Sequence, residues 1–128
     1  MEYPENLKYT KEHEWVRVDG DVGVVGVTQH AQEALGDVVF VELPEPGTRV
    51  GQNEQFGTVE SVKAVSDLLA PVSGKILKAN DELIDAPELV NEDCMGQAWM
   101  IEIEMSNPAD AEGLLSADDY TKLVAESS

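Results

Sequence analysis

Short runs of β-branched and other apolar residues recur along the chain, and glycine, proline or aspartate separates many of them. Such runs favour strands, because side chains of this type pack well on a pleated surface. The predicted strands cover residues 14–18, 22–27, 38–43, 48–50, 55–62, 65–70, 75–79 and 98–104. Many short strands with close turn signals indicate a mainly β fold, either a sandwich or a small barrel.

Three stretches depart from this pattern and predict helices. Thr28 can cap a short helix that ends at Gly36. Near the end of the chain, residues 109–115 and 117–125 predict two more helices. Ser116 can cap the last one, with two aspartates in its first turn, and its expected buried stripe is Leu114, Leu115, Tyr120, Leu123 and Val124. Residues 80–95 are predicted to be mostly loop.

The length of 128 residues predicts one domain covering 1–128, with a helical C-terminal segment at about 108–126.

Charge is the most unusual property of the chain, which has 8 basic and 26 acidic residues and a net charge of −18. Nucleic acid and anionic membranes are therefore excluded as partners, since both are bound through lysine and arginine. The charge either serves solubility alone or steers the protein towards basic faces on partner proteins.

The single cysteine, Cys94, excludes an internal disulfide and most multi-cysteine metal sites, and it fits a reducing compartment. No metal site is expected. The N-terminal residues lack a basic region followed by an apolar run, and no run approaches the ~20 apolar residues of a membrane span. We expect a cytoplasmic protein of bacterial type rather than a mature mitochondrial form.

One lysine stands apart from the other bases. Lys63 lies between two β-rich runs, and no other lysine or arginine occurs between Arg49 and Lys75. Hairpin turns ordinarily favour Asn-Gly or Asp-Gly, whereas this turn reads Val62-Lys63-Ala64. A modifying enzyme needs an accessible amine on a rigid backbone, so we predict that Lys63 is presented for covalent modification. A solvated turn lysine is the alternative.

Residues 60–67, ESVKAVSD, resemble the lipoyl-lysine site of the glycine cleavage system H protein family and, more distantly, lipoyl and biotinyl domains. Biotinyl domains typically place methionine on both sides of the lysine, and Val62 and Ala64 argue against biotin here. The resemblance covers nearly the whole chain in order, through the stretches 9–15, 26–31, 35–37, 38–47, 71–74, 96–101 and 114–120.

The resemblance implies a lipoyl-domain-like barrel-sandwich hybrid of antiparallel strands, with a short internal helix and C-terminal helices. It implies a non-catalytic carrier of glycine catabolism and one-carbon metabolism, with lipoate linked to Lys63. The implied partners are glycine decarboxylase, the aminomethyltransferase, dihydrolipoamide dehydrogenase and a lipoate-attaching enzyme. We expect the carrier to be a monomer.

The resemblance also suggests that the loaded arm folds back into a cleft. Its cargo carries an amine, and carboxylates could hold an ammonium group by charge-assisted hydrogen bonds. The candidates for contact with the arm or cargo are Glu14, Asp67 and His13. They could equally be ordinary polar residues, or in the case of His13 a packed one.

Two other functions remain open at this point. The chain could be an H-like carrier that delivers lipoate to other enzymes, or an unmodified acidic domain that binds proteins. No nucleophile motif, phosphate loop or zinc-ligand spacing supports an enzyme.

Overall fold

The computed structural model describes residues 3–127. Its strands are β1 Lys8–Tyr9, β2 Glu14–Asp19, β3 Val22–Val27, β4 Val38–Glu42, β5 Arg49–Val50, β6 Gln55–Ser61, β7 Val65–Leu69, β8 Gly74–Ala79 and β9 Ile101–Met105. They form a six-stranded sheet in the order β1-β2-β3-β9-β8-β5 and a three-stranded sheet in the order β4-β6-β7. Every strand pair is antiparallel, so the predicted mainly β, antiparallel architecture is confirmed.

The two sheets bury their facing sides in one apolar cluster. Val16 and Val25 come from the larger sheet, and Val41, Val59 and Leu68 come from the smaller one. Each of these side chains is at most 2% exposed. Because burial of apolar surface contributes about 25 cal/mol per Å², this shared aliphatic interior holds the two sheets face to face.

The helices are α1 Gln29–Leu35, α2 Glu82–Asp85, α3 Leu89–Asp93, α4 Ala109–Glu112 and α5 Ala117–Ser127. The predicted limits of α1 are confirmed. The Thr28 side chain accepts a hydrogen bond from the Ala31 amide, and Gly36 ends the helix with φ at 75°. In the described part of the chain, no helix has both the length and the apolar character that a membrane crossing requires.

The prediction that residues 80–95 are mostly loop was wrong, because α2 and α3 lie there. Leu83 and Val90 are completely buried, so packing on the core selects helical turns that local propensity alone did not indicate. The Asn80 side chain supports the start of this segment by donating to the carbonyls of Gln97 and Trp99.

Two further predicted limits need correction. The helix predicted over 109–115 ends at Glu112, and the strand predicted over 98–104 is paired only from Ile101 to Met105. The chain before Ile101 is in turns instead, with the Ala98 and Trp99 amides donating to the carbonyls of Asp93 and Gly96.

The C-terminal helix α5 packs on a second cluster that is rich in aromatic rings. Tyr9 and Tyr120 are fully buried and stacked, with ring centroids 4.8 Å apart. Ser116 caps α5 by accepting from the Asp119 amide, as predicted. The expected stripe is divided, because Leu115, Leu123 and Val124 pack on the aromatic cluster whereas Leu114 packs on the core between the sheets.

Candidate functional site

Lys63 is exposed at the tip of the β6–β7 hairpin, which pairs Glu60 with Val65. Hydrogen bonds between Ser61 and Ala64 close the tip. The Ser61 amide donates to the Ala64 carbonyl at 2.8 Å, and the Ser61 hydroxyl oxygen accepts from the Ala64 amide at 3.1 Å. The turn therefore has a defined backbone although it lacks the usual hairpin residues.

The tip also contacts the turn that joins α1 to β4. The Val62 amide donates to the Asp37 carbonyl at 3.0 Å. The side chain of Lys63 passes over Gly36, where a Cβ atom would lie 3.2 Å from Cε and 3.8 Å from Nζ. Glycine suits this position because of its positive φ, and a Cβ atom would require the end of the Lys63 side chain to move by a few tenths of an ångström.

A cleft of about 280 Å³ begins beside the tip. One wall is the edge strand β7 with Ala64, and the facing wall is formed by residues 12–14 and by α1. All three predicted contact residues, His13, Glu14 and Asp67, line this cleft. The structure thus brings His13 and Glu14 together with Asp67, which lies more than 50 positions later in the chain. The cleft that they line also includes Ala64, the residue after Lys63.

Glu14 is the most buried of the three, with 3% of its surface exposed. One carboxylate oxygen accepts from the Thr10 hydroxyl at 2.6 Å, and the other accepts from the Leu69 amide at 3.4 Å. Burial raises the pKa of Glu14 to about 7, and these two hydrogen bonds oppose the rise. A cation entering the cleft would favour the ionised carboxylate, since an opposite charge nearby stabilises the charged form.

His13 lies at the cleft in a left-handed backbone conformation, with φ at 71°. Its Nδ1 is 2.7 Å from the Tyr120 hydroxyl, and that hydroxyl is also 2.7 Å from the Thr28 hydroxyl. Burial lowers the pKa of His13, and the ring of His30, 4.5 Å away, lowers it further. The imidazole is therefore neutral at neutral pH.

Asp67 is exposed on β7 and accepts a hydrogen bond from the Gln55 side chain at 3.2 Å. It contributes an accessible carboxylate to the cleft, whereas Glu14 contributes a buried one. Contact of these groups with an arm or its cargo remains a prediction.

Sequence reasoning missed the residues that hold the cleft side chains in place. Thr10, four positions before Glu14, bonds to its carboxylate, and Tyr120 bonds to His13 across 107 positions. The short Thr-Glu spacing could have suggested the first contact. No local signal identifies the second, because it depends on how α5 docks.

Metal binding and thiol chemistry were the other candidate activities of the described residues. Within residues 3–127, no group of three or more histidine, cysteine, aspartate or glutamate side chains is placed to hold a metal ion. The Cys94 thiol is buried, and this burial raises its pKa to about 11, so the reactive thiolate is disfavoured.

Comparison with known proteins agrees with this arrangement. The family model described as glycine cleavage H-protein matches residues 7–127. The chain is 54% identical over 123 residues to a glycine cleavage system H protein of Carboxydothermus hydrogenoformans, covering 96% of this chain and 95% of that one. It is 56% identical over 126 residues to the Brevibacillus brevis protein of the same name, covering 98% of this chain and 100% of the relative.

A solved structure gives the same result for the fold. The crystal structure of a glycine cleavage system H protein from Mycobacterium marinum superimposes with a TM-score of 0.86 at 40% identity, covering 94% of this chain and 97% of that one. The fold is thus the lipoyl-domain type of barrel-sandwich. With its exposed hairpin lysine beside an acidic cleft, this chain belongs to the glycine cleavage H-protein family of lipoyl carriers.

Proposed function

We propose that this chain carries lipoate in amide linkage on Lys63 and shuttles the aminomethyl group of glycine between enzymes. The donor is glycine decarboxylase, the acceptor is the aminomethyltransferase, and dihydrolipoamide dehydrogenase restores the oxidised form. The observation that carries the proposal is the exposed Lys63 on a closed hairpin tip in a member of this family.

The residues at the tip fit an attached lipoyl arm. The Lys63 side chain is exposed, so a ligating enzyme can reach Nζ. Lipoate, when attached, supplies a disulfide that is reduced as it takes up the aminomethyl group. The protein supplies a stiff base at one end of a flexible arm, and such tethering raises the local concentration of the reacting group at each partner site.

Within this chain, the cleft is the part that would protect the cargo. We propose that Glu14 and Asp67 hold the cationic amine of the cargo, while His13 forms the neutral rim of the same cleft. Glu14 suits this role because its carboxyl oxygens are already fixed by Thr10 and Leu69 and need no reorganisation. The protein acts here as a carrier that binds and shields, and its partners perform the catalysis.

The attachment site is tested by intact mass after incubation with lipoate, ATP and a lipoate-attaching enzyme. The wild type should gain one lipoyl group, and Lys63→Ala should gain none. Lys75→Ala, which removes a lysine from β8, is the matched control and should be modified like the wild type. Modification of Lys63→Ala to the same extent would disprove the assignment.

The shuttling role is tested with the fully lipoylated protein and glycine decarboxylase. Glycine-dependent exchange of carbon dioxide should require the lipoylated wild type. A lipoylated protein without exchange activity would instead indicate a carrier that delivers lipoate to other enzymes. A chain that is never lipoylated would indicate an acidic protein-binding domain.

A further inference from the structure

The side chain of Asn91, in α3, holds the turn on which the lysine tip rests. Its Oδ1 accepts from the Val38 amide at 2.8 Å, and its Nδ2 donates to the Gly36 carbonyl at 2.7 Å. Both atoms of one amide group are thus used on the two residues that flank Asp37. These partners lie 53 and 55 positions away in the chain, so Asn91 ties the turn to a different part of the fold.

The turn held in this way contacts the tip directly. The Asp37 carbonyl accepts from the Val62 amide, and the Lys63 side chain passes over Gly36. Asn91 thus bonds the residues on either side of Asp37, and among the described residues no hydrogen bond joins it to Lys63 or to the cleft residues His13, Glu14 and Asp67.

The segment needs such support because its strand pairing is irregular. The register between β4 and β6 shifts between Val38 and Phe40, at the end of the pairing next to the tip. Val38 is buried, whereas Val39 and Phe40 are exposed. A bulge leaves part of a strand without regular ladder bonds, and the Asn91 amide supplies a fixed partner at this point.

We propose that Asn91 is a positioning residue for lipoyl attachment, which keeps the Gly36–Asp37–Val38 turn in place and so presents Lys63 in the orientation that the attaching enzyme requires. The inference rests on the proposed modification of Lys63. In that reaction Nζ displaces AMP from an activated lipoyl carboxyl group, so an amide bond forms and a proton is released. The rate depends on how precisely Nζ is held, because small misplacements of a reacting atom reduce rates strongly.

The test compares Asn91→Ala with Asn80→Ala. Asn80 is the matched control, because its side-chain amide also bonds two backbone segments. It donates to the carbonyls of Gln97 and Trp99 and accepts from the Glu82 amide, and none of these groups belongs to the tip or to the turn that Asn91 holds. Two quantities are measured: kcat/KM for lipoyl attachment, and hydrogen exchange of the Val62 amide in the unmodified protein. Asn91→Asp serves as a second variant of nearly equal shape, which keeps the acceptor for Val38 but loses the donor to Gly36.

For Asn91→Ala we expect exchange of the Val62 amide to accelerate and kcat/KM for attachment to fall, each roughly tenfold, as expected when two hydrogen bonds are lost. Asn91→Asp, which loses only the bond to Gly36, should change both measurements in the same direction but by a smaller factor. Asn80→Ala should keep the wild-type values of both even if its melting temperature falls more. This pattern would show that Asn91 acts by positioning Lys63 and not through the overall stability of the protein.

Attachment to Asn91→Ala at the wild-type rate would overturn the inference, whatever happens to exchange. A slower rate without faster Val62 exchange would overturn it too, because the loss would not pass through the turn. An equal fall of kcat/KM for attachment in Asn80→Ala would also overturn it, because the loss would then follow from lower overall stability and not from the position of Lys63. In all three cases the wild type is still modified on Lys63, so the proposed function stands; a wild type that is never modified removes both.

Discussion

The Glu14 carboxyl group is buried in the cleft that begins beside the Lys63 tip, and its burial has consequences for stability as well as for binding. Its pKa is raised from 4.5 to about 7 by desolvation, and its two hydrogen bonds only partly offset that cost. Such perturbed groups concentrate at functional sites. The energetic cost of burying Glu14 is consistent with a role in holding a cation, which an apolar residue could not fulfil.

Glu14→Gln should stabilise the protein more at pH 8 than at pH 5. The folded state binds the Glu14 proton more tightly than the unfolded chain, so this contribution to stability is fully present below about pH 4.5 and is lost as the pH rises through 7. At about 1.4 kcal/mol per pKa unit, the full change is on the order of 3 kcal/mol. Urea unfolding of both proteins from pH 5 to pH 8 measures it.

Glu42→Gln, on the exposed side of β4, is the control for the loss of one carboxyl charge. If the difference in unfolding free energy between wild type and Glu14→Gln is the same at both pH values, the Glu14 carboxyl is not buried in solution.

Gly36→Ala should reduce lipoyl attachment as well as stability. The residue adopts φ 75° and ψ −149°, a region that costs a residue with a side chain about 1–3 kcal/mol. The new methyl group would also lie 3.2 Å from Lys63 Cε and shift that side chain by a few tenths of an ångström. Thermal unfolding and the rate of attachment measure the two effects.

Gly47→Ala is the matched control, since Gly47 has φ at 94° and a methyl group added there would meet no atom within 4 Å. It should lose stability by strain alone and be lipoylated at the wild-type rate. Equal attachment rates for the two variants would show that the contact between Gly36 and Lys63 does not matter for modification.

At the scale of elements, α5 is joined to α1 and to the cleft through one hydroxyl group. Tyr120 lies within hydrogen-bond distance of Thr28, which caps α1, and of His13, which lines the cleft. Burial raises the pKa of Tyr120 well above its usual value, so it remains a neutral hydrogen-bonding group. The C-terminal helix thereby supports a wall of the cleft, although none of its described residues lines that cleft.

Tyr120→Phe should destabilise the protein by about 1–3 kcal/mol, because buried polar partners lose their hydrogen bonds. The loss should loosen α1, so the Ala31 amide, which donates to Thr28, should exchange faster. Tyr9→Phe is the control: Tyr9 is equally buried and stacked on Tyr120, but its hydroxyl donates only to the Pro4 carbonyl among the described residues. Equal Ala31 exchange in the two variants would contradict the coupling.

At the scale of the whole molecule, we expect the net charge of −18 to steer the chain towards basic faces on partner proteins. Amide formation on Lys63 removes one more positive charge. The Debye length is about 30 Å at 0.01 M salt and about 10 Å at 0.1 M, so attraction between an acidic carrier and basic docking faces should weaken over this range.

We therefore expect KM of the lipoate-attaching enzyme for this protein to rise with added sodium chloride. A neutral osmolyte at the same osmolality is the control, because it leaves charges unscreened. A KM that does not respond to salt would show that apolar contacts dominate docking, for which the exposed Val62 and Val65 at the tip are the natural candidates.

The sequence by itself determined the elements whose signals are local. Strand runs, the caps of α1 at Thr28 and Gly36 and the cap of α5 at Ser116 involve interactions over a few residues, and side-chain type decides them. The isolation of Lys63 among the bases and the resemblance of residues 60–67 are also properties of the sequence alone.

Only the tertiary structure decided what depends on distant contacts. The burial of Leu83 and Val90 turned a predicted loop into α2 and α3, and docking of α5 brought Tyr120 to His13 across 107 positions. The Asn91 amide reached the turn below the lysine in the same way. The physical reason is that desolvation and hydrogen bonding act on groups that are close in space, and a sequence pattern does not report which distant groups folding brings together.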